Sequence, residues 1–179
     1  MKAYTGIACL AAGVLSLIGG TIQAQPGGTV GYAEKSFMRE AAQGGVAEVK
    51  LGALAATQGS RESVRRFGQH MVDDHSKAGD ELRQVARDKG ISLPGTMDSE
   101  SRALYNRLSR LHGAAFDSAY IKAMREDHEK DIQVFRREAN NGRDRDVKAF
   151  ASKTLPTLRH HYEMVLEISS SLRAQRASR

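Results

Sequence analysis

From about Glu34 to Leu172 the apolar residues recur three and four positions apart, with no sustained alternation of apolar and polar residues. That period places them on one face of an α-helix. β-Branched residues are sparse, which removes the other support for strands. The chain is thereby confined to all-α folds. Stop signals divide the helical stretch into segments. The spacing predicts a first helix over 34–58, broken by Gly59-Ser60, with Ser60 placed to cap a second helix over 61–89 that stops at Gly90. Pro94-Gly95 marks a loop, and a short helix follows near 98–111. A third long helix, 114–139, ends at Asn140-Asn141-Gly142. A fourth, 144–173, contains Pro156, which is expected to bend it or restart it near Thr154.

Two tight connections imply two antiparallel helix pairs. The connection between the second and third long helices is long and carries its own short helix. A ferritin-like four-helix bundle needs such a crossover there, whereas an up-down-up-down bundle needs only a short loop.

The first segment stands apart. Lys2, the apolar run IACLAAGVLSLIGG and then TIQA have the layout of a secretory signal peptide, cleaved after Ala24. An uncleaved anchor is the competing reading, although the run is short for a membrane span. Cys9 lies too early, inside the apolar run, to be a lipidated cysteine. Removing 1–24 from the 179 residues leaves 155 and no cysteine, one domain whose stability must come from packing or a ligand. The domain layout is then a flexible lead-in over 25–33, a bundle over 34–173 and a frayed tail over 174–179. The expected location is periplasmic or secreted, without stable membrane insertion after cleavage. The net charge of +6 becomes +5 once Lys2 leaves. The basic residues are interleaved with acids, as in RESVRRFGQHMVDDHSK, and no aromatic ladder accompanies them. This describes a solvated surface, compatible with weak attraction to an anionic envelope and not with nucleic-acid binding.

The phrase MVDDHSK at 71–77 returns as MREDHEK at 124–130. Both copies set a histidine into an apolar stripe, and every long helix has one such interruption near its middle: Glu48, His75, His128 and His161. One inward histidine is ordinary. Four interruptions, one per helix, have a shared explanation if they meet at one level. Unpartnered buried polar groups cost about 1–3 kcal/mol each. Meeting removes that cost through a mutual hydrogen-bond network or through a metal ion, for which imidazole and carboxylate are ordinary ligands. Asp74, Asp127 and Asp131 are outer candidates: the first two can orient a histidine, and the third lies one turn after His128. Met71, Met124 and Met164 lie within one turn of the histidines, on the same side if the second and third long helices run parallel. They are either core filling or a soft layer that favours copper. His70, His112 and His160 fit no stripe and are expected at the surface.

The segments AAQGGVAEVKLGALA, VRRFGQHMVDDHSKAGDEL, AAFDSAYIKAMREDHEK and VKAFASKTLPTLRHHYEM resemble the exported bacterial family called domain of unknown function 4142, over roughly residues 33–172. Its members are often labelled outer-membrane proteins and are similar to ferritin-like bundles. No stretch here reads as a barrel strand or a lipid anchor. The ferritin-like resemblance suggests di-iron chemistry, but the sequence departs from it. Di-iron bundles use Glu-x-x-His on two helices, and here Val72, Arg125 and Leu158 stand three residues before His75, His128 and His161. A single ion, copper or zinc before a di-iron pair, or no metal at all, fits better. The glycines of QGGVAEVKLG are expected to permit close helix packing; the segment follows no strand and is no nucleotide loop. No catalytic constellation stands out. The readings left open are a periplasmic metal-binding protein and a structural or stress-related envelope protein with a metal-free polar core, a redox enzyme being the remaining possibility.

Overall fold

The computed structural model describes residues 30–177. It contains α1 (Tyr32–Gln58), α2 (Glu62–Asp88), α3 (Ser99–Leu108), α4 (Gly113–Asn141) and α5 (Arg145–Ala177), with no strand among the described residues. The expected signal peptide lies outside the described residues. α1 begins two residues before the expected Glu34, and Val30 ahead of it is already buried. α5 runs on to Ala177, past the expected end at 173.

The core consists of two apolar clusters. One gathers Phe37, Leu82, Phe135, Phe150 and Leu158. The other gathers Leu51, Phe67, Met71, Tyr120, Met124 and Val165. These memberships fix the directions of the helices. α1 and α5 run from the first cluster to the second, and α2 and α4 run from the second to the first. α2 and α4 are therefore parallel, and the intervening segment must travel the length of the bundle. It does so: Ile91 and Leu93 pack on the first cluster, and Met97, Leu104 and Leu108 on the second. α1 adjoins α2 and α4, and α5 adjoins the same two. This is the ferritin-like arrangement with its long crossover.

The helix ends show how the chain is cut into elements. α2 stops where Gly90 takes a left-handed φ of 65°, letting the Ile91 amide donate to the Ala86 carbonyl at 2.8 Å. Asp98 caps α3 by accepting from the Ser101 amide at 2.9 Å. Asp144 caps α5 by accepting from the amides of Asp146 and Val147. The start of α2 differs from expectation. Ser60 does not cap it. Instead Asp117, fully buried on α4, accepts from the amides of Ser60 and Arg61 at 2.9 and 3.1 Å and from the Ser60 hydroxyl. A carboxylate is the stronger acceptor for these orphan donors, and it also ties the first hairpin to the second.

Two further expectations change. Pro156 does not restart α5, which is assigned as one continuous helix. Of the α1 glycines, Gly52 permits close packing. A Cβ there would lie 2.7 Å from the Gly68 carbonyl oxygen, and one on Gly68 would lie 2.6 Å from the Gly52 oxygen, so α1 and α2 cross at these two residues. Gly44 and Gly45 do nothing of the kind. A Cβ at either meets nothing within 4 Å, and the space they leave lines cavities.

Candidate metal centre

Glu48, His75, His128 and His161 come from α1, α2, α4 and α5, and they meet in the layer between the two apolar clusters. None is more than 6% exposed. Imidazole Nδ1 of His75 lies 2.8 Å from Glu48 Oε2. The other carboxyl oxygen, Oε1, lies 3.6 Å from His128 Nε2, which is itself 3.4 Å from His161 Nδ1. One ring nitrogen of each histidine can be chosen so that all three lie within 4.8 Å of one another. Glu48, Asp127 and His128 form a second group within the same limit. His128 belongs to both.

Hydrogen bonds outside this layer orient the rings. His128 Nδ1 is 3.0 Å from the Met124 carbonyl oxygen, one turn back on α4. A carbonyl can only accept, so Nδ1 carries the proton of the neutral ring and Nε2 presents a lone pair. His161 Nε2 is 2.9 Å from Asp74 Oδ2 on α2. With the carboxylate oxygen accepting here, the lone pair of His161 is left on Nδ1. The two bare nitrogens are the ones that face each other at 3.4 Å.

Burial keeps these rings neutral. It pushes His161 down to about 4, helped by His75 and opposed by the hydrogen bond to Asp74. It pushes His75 to about 4 against the pull of Asp131, Asp127 and Asp74. His128 falls well below the usual imidazole range through burial and its two histidine neighbours. The carboxyls move the other way. Burial, then Asp127, raises Glu48 well above its ordinary value. Burial, then Glu48 and Asp127, raises Asp131. Asp127 rises through burial, against His75 and Lys130. Glu48 Oε1 and His75 Nε2 are buried without a hydrogen-bond partner.

The expected residues sort clearly. Asp74 orients His161 across a helix interface, and Asp127 reaches the second donor group. Asp131 belongs to neither group but lines a cavity of about 80 Å³ with Glu48, His75 and Gly44. A second cavity, about 90 Å³, reaches His75 between α2 and α5, past Asp74 and Thr157. Met71 and Met124 are fully buried in the core cluster that also takes Met164, so the three share one side of the polar layer. His70, His112 and His160 are exposed. Sequence reasoning missed the hydroxyl of Tyr120, which is buried without a partner and whose ionisation is suppressed by burial, Glu48 and Asp127. Its place two turns before His128 was the available signal.

Residues 21–168 match the family described as Domain of unknown function (DUF4142). The chain belongs to that family. No curated protein matches the DUF4142 chain. Its fold is similar to that of a DUF305 fragment from Deinococcus radiodurans, with a TM-score of 0.70 at 14% identity, covering 79% of this chain and 98% of the other. It is also similar to a DUF305 protein of Streptomyces coelicolor that is taken to be secreted, with a TM-score of 0.66 at 12% identity, covering 78% and 93%. At these identities the likeness concerns the fold alone.

Proposed function

We propose that the protein is an exported, periplasmic or secreted bundle that holds one transition-metal ion in its polar layer, with Glu48, His75, His128 and His161 as ligands. The apposed lone pairs of His128 Nε2 and His161 Nδ1 carry this reading. In a neutral, buried layer they repel, and a cation between them converts the repulsion into two bonds. The pattern around them supports the same assignment. Histidines that bind metal commonly donate their second N–H to a carboxylate or a backbone carbonyl, as His161 does to Asp74 and His128 to Met124. The three imidazoles suit copper or zinc. Apolar clusters above and below bound the layer, and small cavities reach it at Glu48 and His75. Export is supported by the layout of residues 1–24 and by the description of the Streptomyces coelicolor protein.

A metal-free polar network in an envelope protein is the second reading. The 2.8 Å contact of Glu48 with His75 favours it, because a protonated carboxyl and a neutral imidazole satisfy each other. That network leaves Glu48 Oε1 and His75 Nε2 unpaired, and it does not relieve the facing nitrogens. The deciding measurement is the metal content of untagged protein, exported by its own signal and purified without chelator. About one equivalent of copper or zinc, lost in His75→Ala, is expected for a single-ion site. No metal, together with no thermal shift on adding copper, zinc, iron or manganese, would refute the metal reading.

A further inference from the structure

A groove of about 430 Å³ runs between α1, α2 and the start of the crossover. Its size lies within the range of small-molecule pockets, roughly 300–1,000 Å³. Three separate segments wall it with apolar side chains: Val46 and Val49 from α1, Leu82 and Ala86 from α2, and Ile91 and Leu93 from the crossover. The room exists because two helical positions lack side chains. A Cβ on Gly45 would meet nothing within 4 Å, and one on Gly79 would meet only the Arg83 side chain, nearest at 3.3 Å.

The polar groups of the groove are few, and their signs are uneven. Lys50, Arg83 and Arg87 stand against Asp80 alone. Arg83 holds Asp80 at 2.6 Å and Arg87 donates to Gln84, while Lys50 makes no ion pair among the described residues. His75, buried and with Nε2 unpartnered, also lines the groove. An occupant therefore needs an apolar body and a negative end. A cationic amphiphile would meet Lys50 and Arg87, whose charges no carboxylate of the groove offsets, and a strongly polar anion would leave the apolar walls unmatched.

We propose that this groove binds a small amphipathic carboxylate, its aliphatic or aromatic body lying along α1 and α2 and its head against the cationic rim. The inference goes beyond the metal reading and does not require it. Pocket shape and charge are the argument, as for other sites in which an apolar cleft has a few convergent polar groups.

The test is a titration of the full mature protein with sodium decanoate below its micellar concentration, followed by backbone amide NMR. Decanol and decyltrimethylammonium serve as neutral and cationic probes of equal chain length. Saturable shifts at Gly45, Gly79 and Ile91 are expected, with decanoate at least about tenfold tighter than the cation, since like charges at a site disfavour binding. Lys50→Glu and Arg87→Glu are surface changes that should weaken decanoate and strengthen the cation. Gly79→Leu should fill the groove and remove the saturable shifts. Should that variant fail to fold, the charge reversals and the probe series still decide the matter. Absence of saturable shifts, shifts that map elsewhere, or equal binding of all three probes would overturn the proposal.

Discussion

Asp74→Ala separates a metal site from a polar network more sharply than removal of any histidine. Asp74 lies half-exposed on α2, and its one described partner is His161 Nε2 at 2.9 Å. Without it, His161 is free to move its proton to Nδ1. That proton then points at the bare Nε2 of His128, 3.4 Å away, and replaces a lone-pair clash with a hydrogen bond. In the metal-free protein the variant therefore exchanges one hydrogen bond for another. The net change is expected to stay within about 1 kcal/mol, because single hydrogen bonds contribute about 0.5–1.5 kcal/mol. With metal present the same shift is harmful. The ion must expel a proton from Nδ1 and loses a ring oriented by its carboxylate. Loss of such outer partners typically weakens metal binding about 10- to 100-fold, or about 1.4–2.7 kcal/mol. At about 2–4 °C per kcal/mol for a chain of this size, the metal-induced rise in melting temperature should shrink by about 3–11 °C.

The assay is thermal melting of wild type and Asp74→Ala, each in chelator and in excess zinc, with imidazole nitrogen NMR to read the His161 tautomer. Equal destabilisation in chelator and in zinc would refute the reasoning and favour the polar network. So would a His161 that already carries its proton on Nδ1 in the wild type.

Glu48→Gln should reduce the protons released on metal binding, measured by calorimetry in buffers of different ionisation enthalpy across a range of pH, because burial favours the protonated carboxyl of Glu48 in the metal-free site and an ion must displace that proton. In metal-free protein Glu48 holds its proton above pH 4.5 while the unfolded chain does not, so its contribution falls as pH rises through its raised value; Asp127 and Asp131 act with the same sign. His75 and His161, at about 4 in the folded state against an ordinary 6.5, act oppositely: their contribution is full above 6.5 and is lost as pH falls towards 4, so in Glu48→Gln the melting temperature should rise more steeply, or fall less, as pH increases than it does in wild type. Gly52→Ala should cost about 1–3 kcal/mol in urea unfolding, since its Cβ meets backbone oxygen of α2, whereas Gly44→Ala should be neutral or stabilising in the same assay. Asp117→Ala should cost about 3 kcal/mol by removing three donors' acceptor at the start of α2, while Asp73→Ala, exposed and bonded only to Gln69, should stay within about 0.5 kcal/mol.

The bundle and its polar layer were legible because both depend on period. Apolar residues three and four apart name the inward face of each helix, and Glu48, His75, His128 and His161 stand on those faces whatever their partners are. The crossover was legible too, since a long connection with its own short helix has few other uses between two hairpins. What escaped is what depends on another helix. Ser60 has the side chain of a cap, yet Asp117 takes the position from α4, fifty-seven residues away in sequence. Pro156 reads by local rules as a bend or a restart, and the restart does not occur: α5, packed against α2 and α4, continues through it. Gly44, Gly45 and Gly52 look alike within one segment; only the crossing at Gly68 separates the one that admits a neighbour from the two that leave space.

The same division explains why the sequence could not choose between ion and network. Both readings require four polar residues at one level, so the stripes are silent on the difference. The choice turns on where two protons sit, and each proton is fixed from a different direction. Met124 settles His128 from within its own helix, through a backbone carbonyl that any residue would supply. Asp74 settles His161 from across the α2–α5 interface, because its place beside His75 turns it about a hundred degrees away from the core stripe and towards α5. The acidic residue next to the histidine in MVDDHSK thus serves a histidine on another helix. In MREDHEK the matching Asp127 has no such hydrogen-bonded histidine among the described residues and instead joins Glu48 and His128. The repeated phrase has the same register in both copies and two different uses: one acid sets a lone pair in place, and the other brings a further carboxyl oxygen beside it. That asymmetry has a chemical consequence for a cation and none for a self-satisfied network.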